Sequence, residues 1–168
     1  MSNNLLKISL FSFAILMLSS SASMAVTLPS QARAEVVSPL TISEVTDLNF
    51  GIFDNFAAGN VTIGTDDSLT TVLTHLGGGS RAAFTITGRE DEVYNITIPA
   101  SVTLNGSGSA SGSSMSATLI GVSANSGLAA LGTLTGGSDT VYVGGTLVVA
   151  SNQTAGSYSG TYNVTVQY

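Results

Sequence analysis

The sequence predicts an all-β protein, an antiparallel β-sandwich, and three features of the chain lead to this prediction. After residue 25 helix signals are sparse, whereas Thr, Val, Ile and Tyr are abundant. Glycine-rich and serine-rich turns interrupt the apolar runs at short intervals. Residues 157–168 alternate between polar side chains and Tyr or Val, as the side chains of a half-buried strand do.

Ten segments are predicted as strands, and their number and spacing are typical of an antiparallel sandwich. They are Leu40–Val45, Asp47–Phe53, Asn60–Gly64, Thr70–Thr74, Ala82–Thr87, Val93–Ile98, Ser116–Ile120, Thr140–Val143, Gly145–Ala150 and Tyr158–Tyr168. Gly144-Gly145 is interpreted as a turn between two of them. The Gly/Ser/Ala stretch from Gly106 to Ser114 is predicted to be a flexible surface loop.

Residues 1–25 have the pattern of a signal peptide. Lys7 precedes the apolar run from Ile8 to Leu18, which is too short to span a bilayer. Ser23 and Ala25 occupy the −3 and −1 positions of a signal-peptidase site. We therefore expect cleavage after Ala25, export of the mature chain, and no membrane span once the signal is removed.

Residues 26–38 are predicted to form an extended arm in front of a sandwich domain at residues 39–168. The even positions of the arm carry apolar or small side chains, and the odd positions are mostly polar. Pro29 and Pro39 each lack a backbone donor, which fits an edge strand or a break in a strand. The alternating apolar positions are Val26, Leu28, Ala32, Ala34 and Val36.

Composition excludes several kinds of chemistry. The chain has no cysteine, so neither disulfides nor thiol-based metal sites can form. Four basic residues face ten acidic ones, with a net charge of −6, and no basic stripe exists to bind nucleic acid.

Candidate catalytic residues are few. His75 is the only histidine, and the acids cluster at Asp66-Asp67 and at Glu90-Asp91-Glu92 in turn-like segments. Neither acidic cluster has calcium-loop spacing, and the chain contains no nucleophile elbow, phosphate-binding loop or dinucleotide fingerprint. We interpret His75 and the acids as structural and solvated, and we predict no enzyme, no cofactor and no metal.

The chain resembles DUF4402, a family of exported bacterial domains that is itself similar to spore coat protein U-like and chaperone–usher pilin domains. The segments that carry the resemblance follow one another along the mature chain. They are Pro39-Leu40-Thr41-Ile42, Asp47-Leu48-Asn49-Phe50-Gly51, Ala83-Phe84-Thr85-Ile86-Thr87-Gly88, Tyr94-Asn95-Ile96-Thr97-Ile98-Pro99, Tyr142-Val143-Gly144-Gly145-Thr146-Leu147 and Gly156-Ser157-Tyr158-Ser159-Gly160-Thr161-Tyr162. Pilins also carry a Tyr near the end of the final strand and a Gly twelve residues earlier, and Tyr168 and Gly156 stand at that offset.

The resemblance implies an immunoglobulin-like, pilin-like sandwich that lacks one strand and takes it from a neighbour. The neighbour's arm would add a strand beside the C-terminal strand, with Val26, Leu28, Ala32, Ala34 and Val36 as donor residues. The acceptor residues implied on the C-terminal strand are Gly156, Tyr158, Tyr162, Val164, Val166 and Tyr168.

The resemblance therefore implies an exported structural subunit of a surface fibre, a pilus-like filament, or a coat or biofilm matrix. Its partners would be copies of itself or related subunits, with a periplasmic chaperone and an outer-membrane usher. It would act between the periplasm and the cell surface. The alternative is a self-complemented, monomeric sandwich that serves in adhesion or binds a glycan through its loops.

Overall fold

The structure, a computed structural model, describes residues 24–168. Apart from two 3-10 turns, all regular secondary structure in these residues is β-strand, which confirms the all-β prediction. The antiparallel sheets curl into a sandwich-like arrangement, while the immunoglobulin-like topology stays a prediction. The first 23 residues, most of the predicted signal peptide, lie outside the described residues.

The chain divides into two compact units, Met1–Glu35 and Val36–Tyr168. In the first unit, the described residues 24–35 contain no helix or strand and are exposed. The second unit contains every strand of the described chain. Within residues 24–168, no helix is long and apolar enough to cross a membrane.

Strands follow one another from residue 41 to residue 167, interrupted by 3-10 turns at Gly108–Ala110 and Thr135–Gly137. They are β1 (Thr41–Thr46), β2 (Ile52–Phe53), β3 (Gly59–Ile63), β4 (Leu69–Thr71), β5 (His75–Gly77), β6 (Ala82–Thr87), β7 (Val93–Thr97), β8 (Ser101–Ser107), β9 (Ser114–Ser123), β10 (Leu131–Thr133), β11 (Ser138–Val149), β12 (Ser157–Ser159) and β13 (Thr165–Gln167).

One large sheet is built around β11. Strand β9 pairs with one edge of β11, and β6 and β3 pair end to end with the other edge. β1 lies outside β6 and β4 lies outside β3, while β8 and then β12 follow β9 on the far side. Both β1 and β12 are therefore edge strands of this sheet.

β11 holds the centre of the sheet because its sequence supplies a buried side chain at nearly every second position. Val141, Val143, Leu147 and Val149 are each at most 1% exposed. The prediction of two strands separated by a turn at Gly144-Gly145 is wrong, since β11 runs unbroken. Gly144 serves close packing instead, because a Cβ there would lie 2.3 Å from the backbone oxygen of Ile63, where β3 ends.

Two small sheets complete the sandwich and divide its core into two clusters. β7 pairs with β10 on one edge and β13 on the other, and β2 pairs with β5. The first cluster lies near β2 and is built on residues such as Phe50, Met115 and Leu147. The second joins β6 to β7 through Ile86 and Tyr94. Half-buried Leu48 packs against both clusters.

The C-terminal segment forms two strands, so the prediction of one continuous strand from Tyr158 to Tyr168 is wrong in this respect. β12 pairs with β8 in the large sheet, and β13 pairs with β7 in a small sheet. β7 and β8 are consecutive in the sequence, so both C-terminal strands pair with one continuous stretch of chain. The ladder breaks between them because residues 160–164 lie opposite the longer segment 98–104, which contains Pro99.

The predicted alternation of the C-terminal segment is confirmed across this break. Tyr158, Tyr162, Val164 and Val166 are half-buried, and the residues between them are exposed. Because strand side chains alternate between faces, the apolar set shares one face and the Ser, Thr and Asn side chains share the other.

Three strands were not predicted, namely β5, β8 and β10. Their sequences are short or rich in Ser, Thr, Asn and Gly, which hides the alternation that marks a strand. The predicted loop from Gly106 to Ser114 is partly regular structure, since β8 extends to Ser107. Ala110 in the following turn is completely buried, so this turn packs against the protein interior.

A carboxylate buried in the core organises the end of the sandwich near β7. Asp139 is 3% exposed and accepts hydrogen bonds from the Tyr94 hydroxyl at 2.8 Å and the Ser123 hydroxyl at 2.5 Å. Its other oxygen accepts from the backbone nitrogens of Asn125 at 3.1 Å and Thr140 at 2.6 Å. Burial, followed by the bond to this carboxylate, raises the pKa of Tyr94 far above its usual value, so Tyr94 stays a neutral donor.

We expect Asp139→Ala to destabilise the fold strongly. The substitution leaves the buried hydroxyls of Tyr94 and Ser123 without an acceptor, which lowers the unfolding free energy by roughly 2–5 kcal/mol. Urea unfolding measures this free energy. The matched control is Glu90→Ala, at an exposed acid, which should change it by no more than about 0.5 kcal/mol. Equal effects of the two substitutions would show that the Asp139 hydrogen bonds contribute nothing.

Candidate functional site

The first and last segments of the second unit lie side by side and in opposite directions. At one end the Tyr168 hydroxyl donates a hydrogen bond to the Ser38 carbonyl at 3.4 Å. At the other end the Asn152 backbone nitrogen donates to the Asn55 carbonyl at 2.9 Å. We call the space between residues 38–55 and residues 152–168 the terminal groove.

One wall of the terminal groove is the edge strand β1. Ile42 pairs opposite Ile86, and Glu44 pairs opposite Phe84. Ile86 and Phe84 are both buried on the core face of the sheet. Directly opposed side chains of antiparallel strands point to the same face, so Ile42 and Glu44 also lie on the core side. Ile42 is nevertheless 39% exposed, which means that the core is open to solvent along this wall.

The C-terminal segment forms the other wall. β12 and β13 each pair with one strand and end their sheets, so within the described residues their second edges carry no ladder partner. Tyr162, Val164 and Val166 pack against the core but stay half-buried. An edge with unpaired backbone groups and half-buried apolar side chains is a surface on which another strand can pair.

The terminal groove widens near β2 into a cavity of about 470 Å³. The first segment contributes Phe50 and the last contributes Tyr158, and both residues belong to or pack against the first core cluster. Leu104, Met115 and Leu147 from three neighbouring strands add to its apolar lining, and the rest includes polar side chains such as Asn55 and Gln153. The cavity therefore reaches into the core and has room for an apolar side chain from outside.

Tyr162 has a buried hydroxyl without a hydrogen-bond partner among the described residues. Burial, together with the nearby carboxylates of Glu44 and Asp47, raises the pKa of Tyr162 to about 12. The hydroxyl is thus neutral at physiological pH. It is buried from solvent, and no described residue forms a hydrogen bond with it. A buried polar group in this state is costly, and it marks the middle of the terminal groove as incompletely satisfied.

Gly156 and Tyr168, the two predicted acceptor residues at the ends of the segment, have packing roles. A Cβ on Gly156 would lie 2.7 Å from the Cβ of buried Ala110, so only glycine fits there. The Tyr168 hydroxyl accepts a hydrogen bond from the Arg89 backbone nitrogen at 2.7 Å. A Cβ on Gly88 would lie 2.3 Å from that hydroxyl, which shows how closely the Tyr168 ring is seated.

The predicted donor residues lie in or beside the first unit and are exposed. Val26 is 92% exposed, Leu28 is 89% exposed and Val36 is 97% exposed. Ala32 and Ala34 are exposed as well, and residues 24–40 belong to no strand. Exposed apolar side chains at alternate positions leave this segment available for strand pairing.

The sequence indicates the C-terminal wall of the groove but not the opposite wall. Ile42, Glu44 and the residues around Phe50 are missed as site residues, although Leu40, Ile42, Leu48 and Phe50 share one parity. A β-bulge between Glu44 and Thr46 breaks the register of this wall, and no sequence signal marks that bulge.

His75 and the acidic clusters do not converge. His75 opens β5, and its buried Nε2 atom has no hydrogen-bond partner in the described part of the chain. Asp66 accepts hydrogen bonds from the Ser68 hydroxyl at 2.6 Å and backbone at 3.1 Å, and these bonds lower the pKa of Asp66. Asp67 accepts from the Arg81 backbone at 2.8 Å.

Arg89 lies 3.6 Å from Glu92, within the turn that carries the second acidic cluster. Residues 24–168 contain no group of three histidine, cysteine or acidic side chains that could hold a metal ion. Asp66 and Glu92 thus contact residues of their own turns, and Asp67 joins its turn to the start of β6.

We expect replacement by Phe to change the unfolding free energy differently at Tyr158 and at Tyr162, the two half-buried tyrosines of the groove. The Tyr158 hydroxyl accepts from Gln153 Nε2 at 2.9 Å and donates to the Thr154 carbonyl at 2.6 Å. We expect Tyr158→Phe to lower the unfolding free energy by about 1 kcal/mol. Tyr162→Phe removes an unpaired hydroxyl, so it should leave this free energy unchanged or raise it by about 1 kcal/mol.

Urea unfolding of both variants beside the wild type measures the difference. A loss for Tyr162→Phe as large as that for Tyr158→Phe would show that the Tyr162 hydroxyl does have a partner.

The chain matches a known family of protein domains. The sequence model of DUF4402, described as a domain of unknown function, matches residues 40–168, which include both walls of the terminal groove. No curated protein matches the chain. Because the match covers most of the sequence, the chain belongs to the DUF4402 family.

Proposed function

We propose that this protein is an exported structural subunit that assembles by strand donation, the arm of one copy pairing into the terminal groove of the next. The resulting polymer would be a surface fibre, a pilus-like filament, or a coat or biofilm matrix. The observation that carries the proposal is the terminal groove itself, where two edge strands of one sandwich face each other across an open core.

The apolar chemistry of the two surfaces supports this assignment. The arm offers Val26, Leu28 and Val36 fully exposed, and the groove offers half-buried Val164 and Val166. Burying one Val or Leu side chain contributes about 1.5–3 kcal/mol. A donated strand would therefore remove apolar surface from water on both partners at once.

The backbone supports the proposal in the same way. The outer edges of β1 and β13 carry no ladder partner within residues 24–168. A strand placed between them would add hydrogen bonds worth about 0.5–1.5 kcal/mol each. It would have to displace the bonds that close the groove ends, such as the 3.4 Å bond from Tyr168 to Ser38.

The cavity near β2 supplies a position for the deepest donor side chain. Its apolar lining includes Leu104 and Met115, and its volume of about 470 Å³ exceeds what one leucine needs. The arm offers one leucine, Leu28, on the parity that would face the core. We assign Leu28 to this cavity.

Export, the donor role of residues 26–38 and the involvement of a periplasmic chaperone and an outer-membrane usher belong to the same proposal. The alternation of the arm supports the donor role, and the signal-like sequence of residues 1–25 supports export. Incoming subunits with an open apolar groove would need protection before assembly, and a chaperone would supply it.

Two substitutions of the arm test the proposal as a matched pair. Leu28→Asp places a charge on the core-facing parity and should abolish assembly, because the carboxylate would be buried near Phe50 and Met115 in a cavity whose lining holds no cation to pair with it. Thr27→Asp places the same charge on the opposite parity and should leave assembly intact. Both sites lie in the exposed segment 24–35, so neither substitution disturbs the sandwich.

The measurement is gel electrophoresis in SDS of protein sheared from expressing cells, with and without boiling. Wild type and Thr27→Asp should give a ladder of multimers that collapses on boiling, and Leu28→Asp should give monomer only. Equal ladders from both variants would contradict a donor role for the arm. Monomer from the folded wild type in both lanes would favour the self-complemented module.

A further inference from the structure

A second surface of the C-terminal segment carries a different chemistry. The break in the ladder between β12 and β13 opens a cleft on the outer side of the sheet, between residues 97–105 and residues 159–165. Its volume is about 910 Å³, at the upper end of the range for ligand sites. None of the residues that line it is charged.

The cleft follows from local sequence. Pro99 cannot donate to a ladder, and the chain around it is two residues longer than the segment opposite, as the pairings Asn105–Ser159 and Thr97–Thr165 show. Gly160 lets the C-terminal segment approach the floor, since a Cβ there would lie 2.3 Å from the Thr103 carbonyl oxygen.

The polar side chains of the cleft are free. Eight exposed hydroxyl and amide residues line it, and among the described residues none of their side chains has a hydrogen-bond partner. They are Thr97, Ser101, Thr103, Asn105, Ser159, Thr161, Asn163 and Thr165.

Three pairs of hydroxyls elsewhere on the sandwich bond each other. Thr41 bonds Thr87 at 2.7 Å, Thr62 bonds Thr146 at 2.9 Å, and Ser113 bonds Thr154 at 3.0 Å. In the cleft, by contrast, the exposed polar side chains keep their hydrogen-bonding groups for a ligand.

The chemistry of the cleft selects a class of ligand. Hydroxyl and amide groups both donate and accept hydrogen bonds, which suits a ligand that carries many hydroxyls of its own. With no charged group in the lining, nothing favours a phosphate, sulfate or carboxylate. We propose that this cleft binds a neutral oligosaccharide.

A row of hydroxyl residues extends from the cleft across the sheet and indicates a linear ligand. Ser101, Thr118, Thr146, Thr62 and Thr70 stand directly opposite one another on five neighbouring strands. Thr62 and Thr146 in this row bond each other, and such a pair keeps one O–H donor and free lone pairs for a ligand. At the usual strand spacing this row is about 19 Å long. A chain of several sugar units would lie along it with one end in the cleft.

The cleft and the terminal groove are distinct. The cleft lies between the C-terminal segment and residues 97–105, and the groove lies between that segment and residues 38–55. Tyr162 contributes to both, and the exposed polar side chains belong to the cleft. The inference therefore stands independently of strand donation, and an assembled subunit would still expose the cleft.

Fluorescence polarisation with labelled cellohexaose, maltohexaose and N-acetylchitohexaose tests the proposal on the mature protein. At least one of these neutral probes should bind, and a sulfated heparin hexasaccharide should not. Failure of all three neutral probes, or tighter binding of the sulfated one, would overturn the proposal.

Substitutions locate the site. The double variant Asn105→Ala with Asn163→Ala should weaken binding at least about tenfold, because it removes both amides from the cleft. Thr87→Ala, outside the cleft on the same sheet, is the control and should bind like the wild type. Circular dichroism checks that all variants fold. Unchanged binding by a folded double variant would place the sugar elsewhere and refute the cleft.

Discussion

Unpaired strand edges are the constraint on which the rest of this structure depends. The large sheet ends at β1, the small sheet ends at β13, and the two edges face each other with the core open between them. The 39% exposure of Ile42, on the core side of β1, follows from this opening. A protein without disulfides has only packing and pairing to hold it, so an open edge is a substantial weakness unless another strand fills it.

The C-terminal segment gives the molecule two surfaces of opposite character. Its half-buried apolar side chains face the terminal groove and its exposed polar side chains face the outer cleft, because strand side chains alternate, and Tyr162 borders both. The break in the ladder at residues 160–164 serves both surfaces. It moves the segment from the large sheet to the small one, and it opens the space in which the free amides of Asn105 and Asn163 lie. Assembly and ligand binding would therefore use one segment without competing.

Periodicity in the sequence predicts only part of the fold and of the two surfaces. The alternation of residues 157–168 predicts the face of each side chain, and that prediction holds through the break. The break itself depends on a two-residue difference in length between partner segments, which a single segment cannot reveal. Gly144-Gly145 has the composition of a turn, yet it lies inside β11 because β3 approaches there. The buried Asp139 likewise has no sequence signal, since three of its four donors come from positions at least 14 residues away.

Disulfide trapping tests strand donation between copies most directly, and the absence of native cysteine makes it clean. One chain carries Gln31→Cys on the polar parity of the arm, and a second carries Thr161→Cys, Asn163→Cys or Thr165→Cys on the exposed parity of the acceptor. Donation in trans predicts that mixed chains form a covalent dimer at one of these three positions after boiling without reductant. Donation in trans predicts no covalent dimer when the second chain carries Thr87→Cys instead, because Thr87 lies on the outer face of β6. Intramolecular bonds in a chain carrying both cysteines, with no dimer from the mixture, would contradict donation in trans and place the arm in its own sandwich.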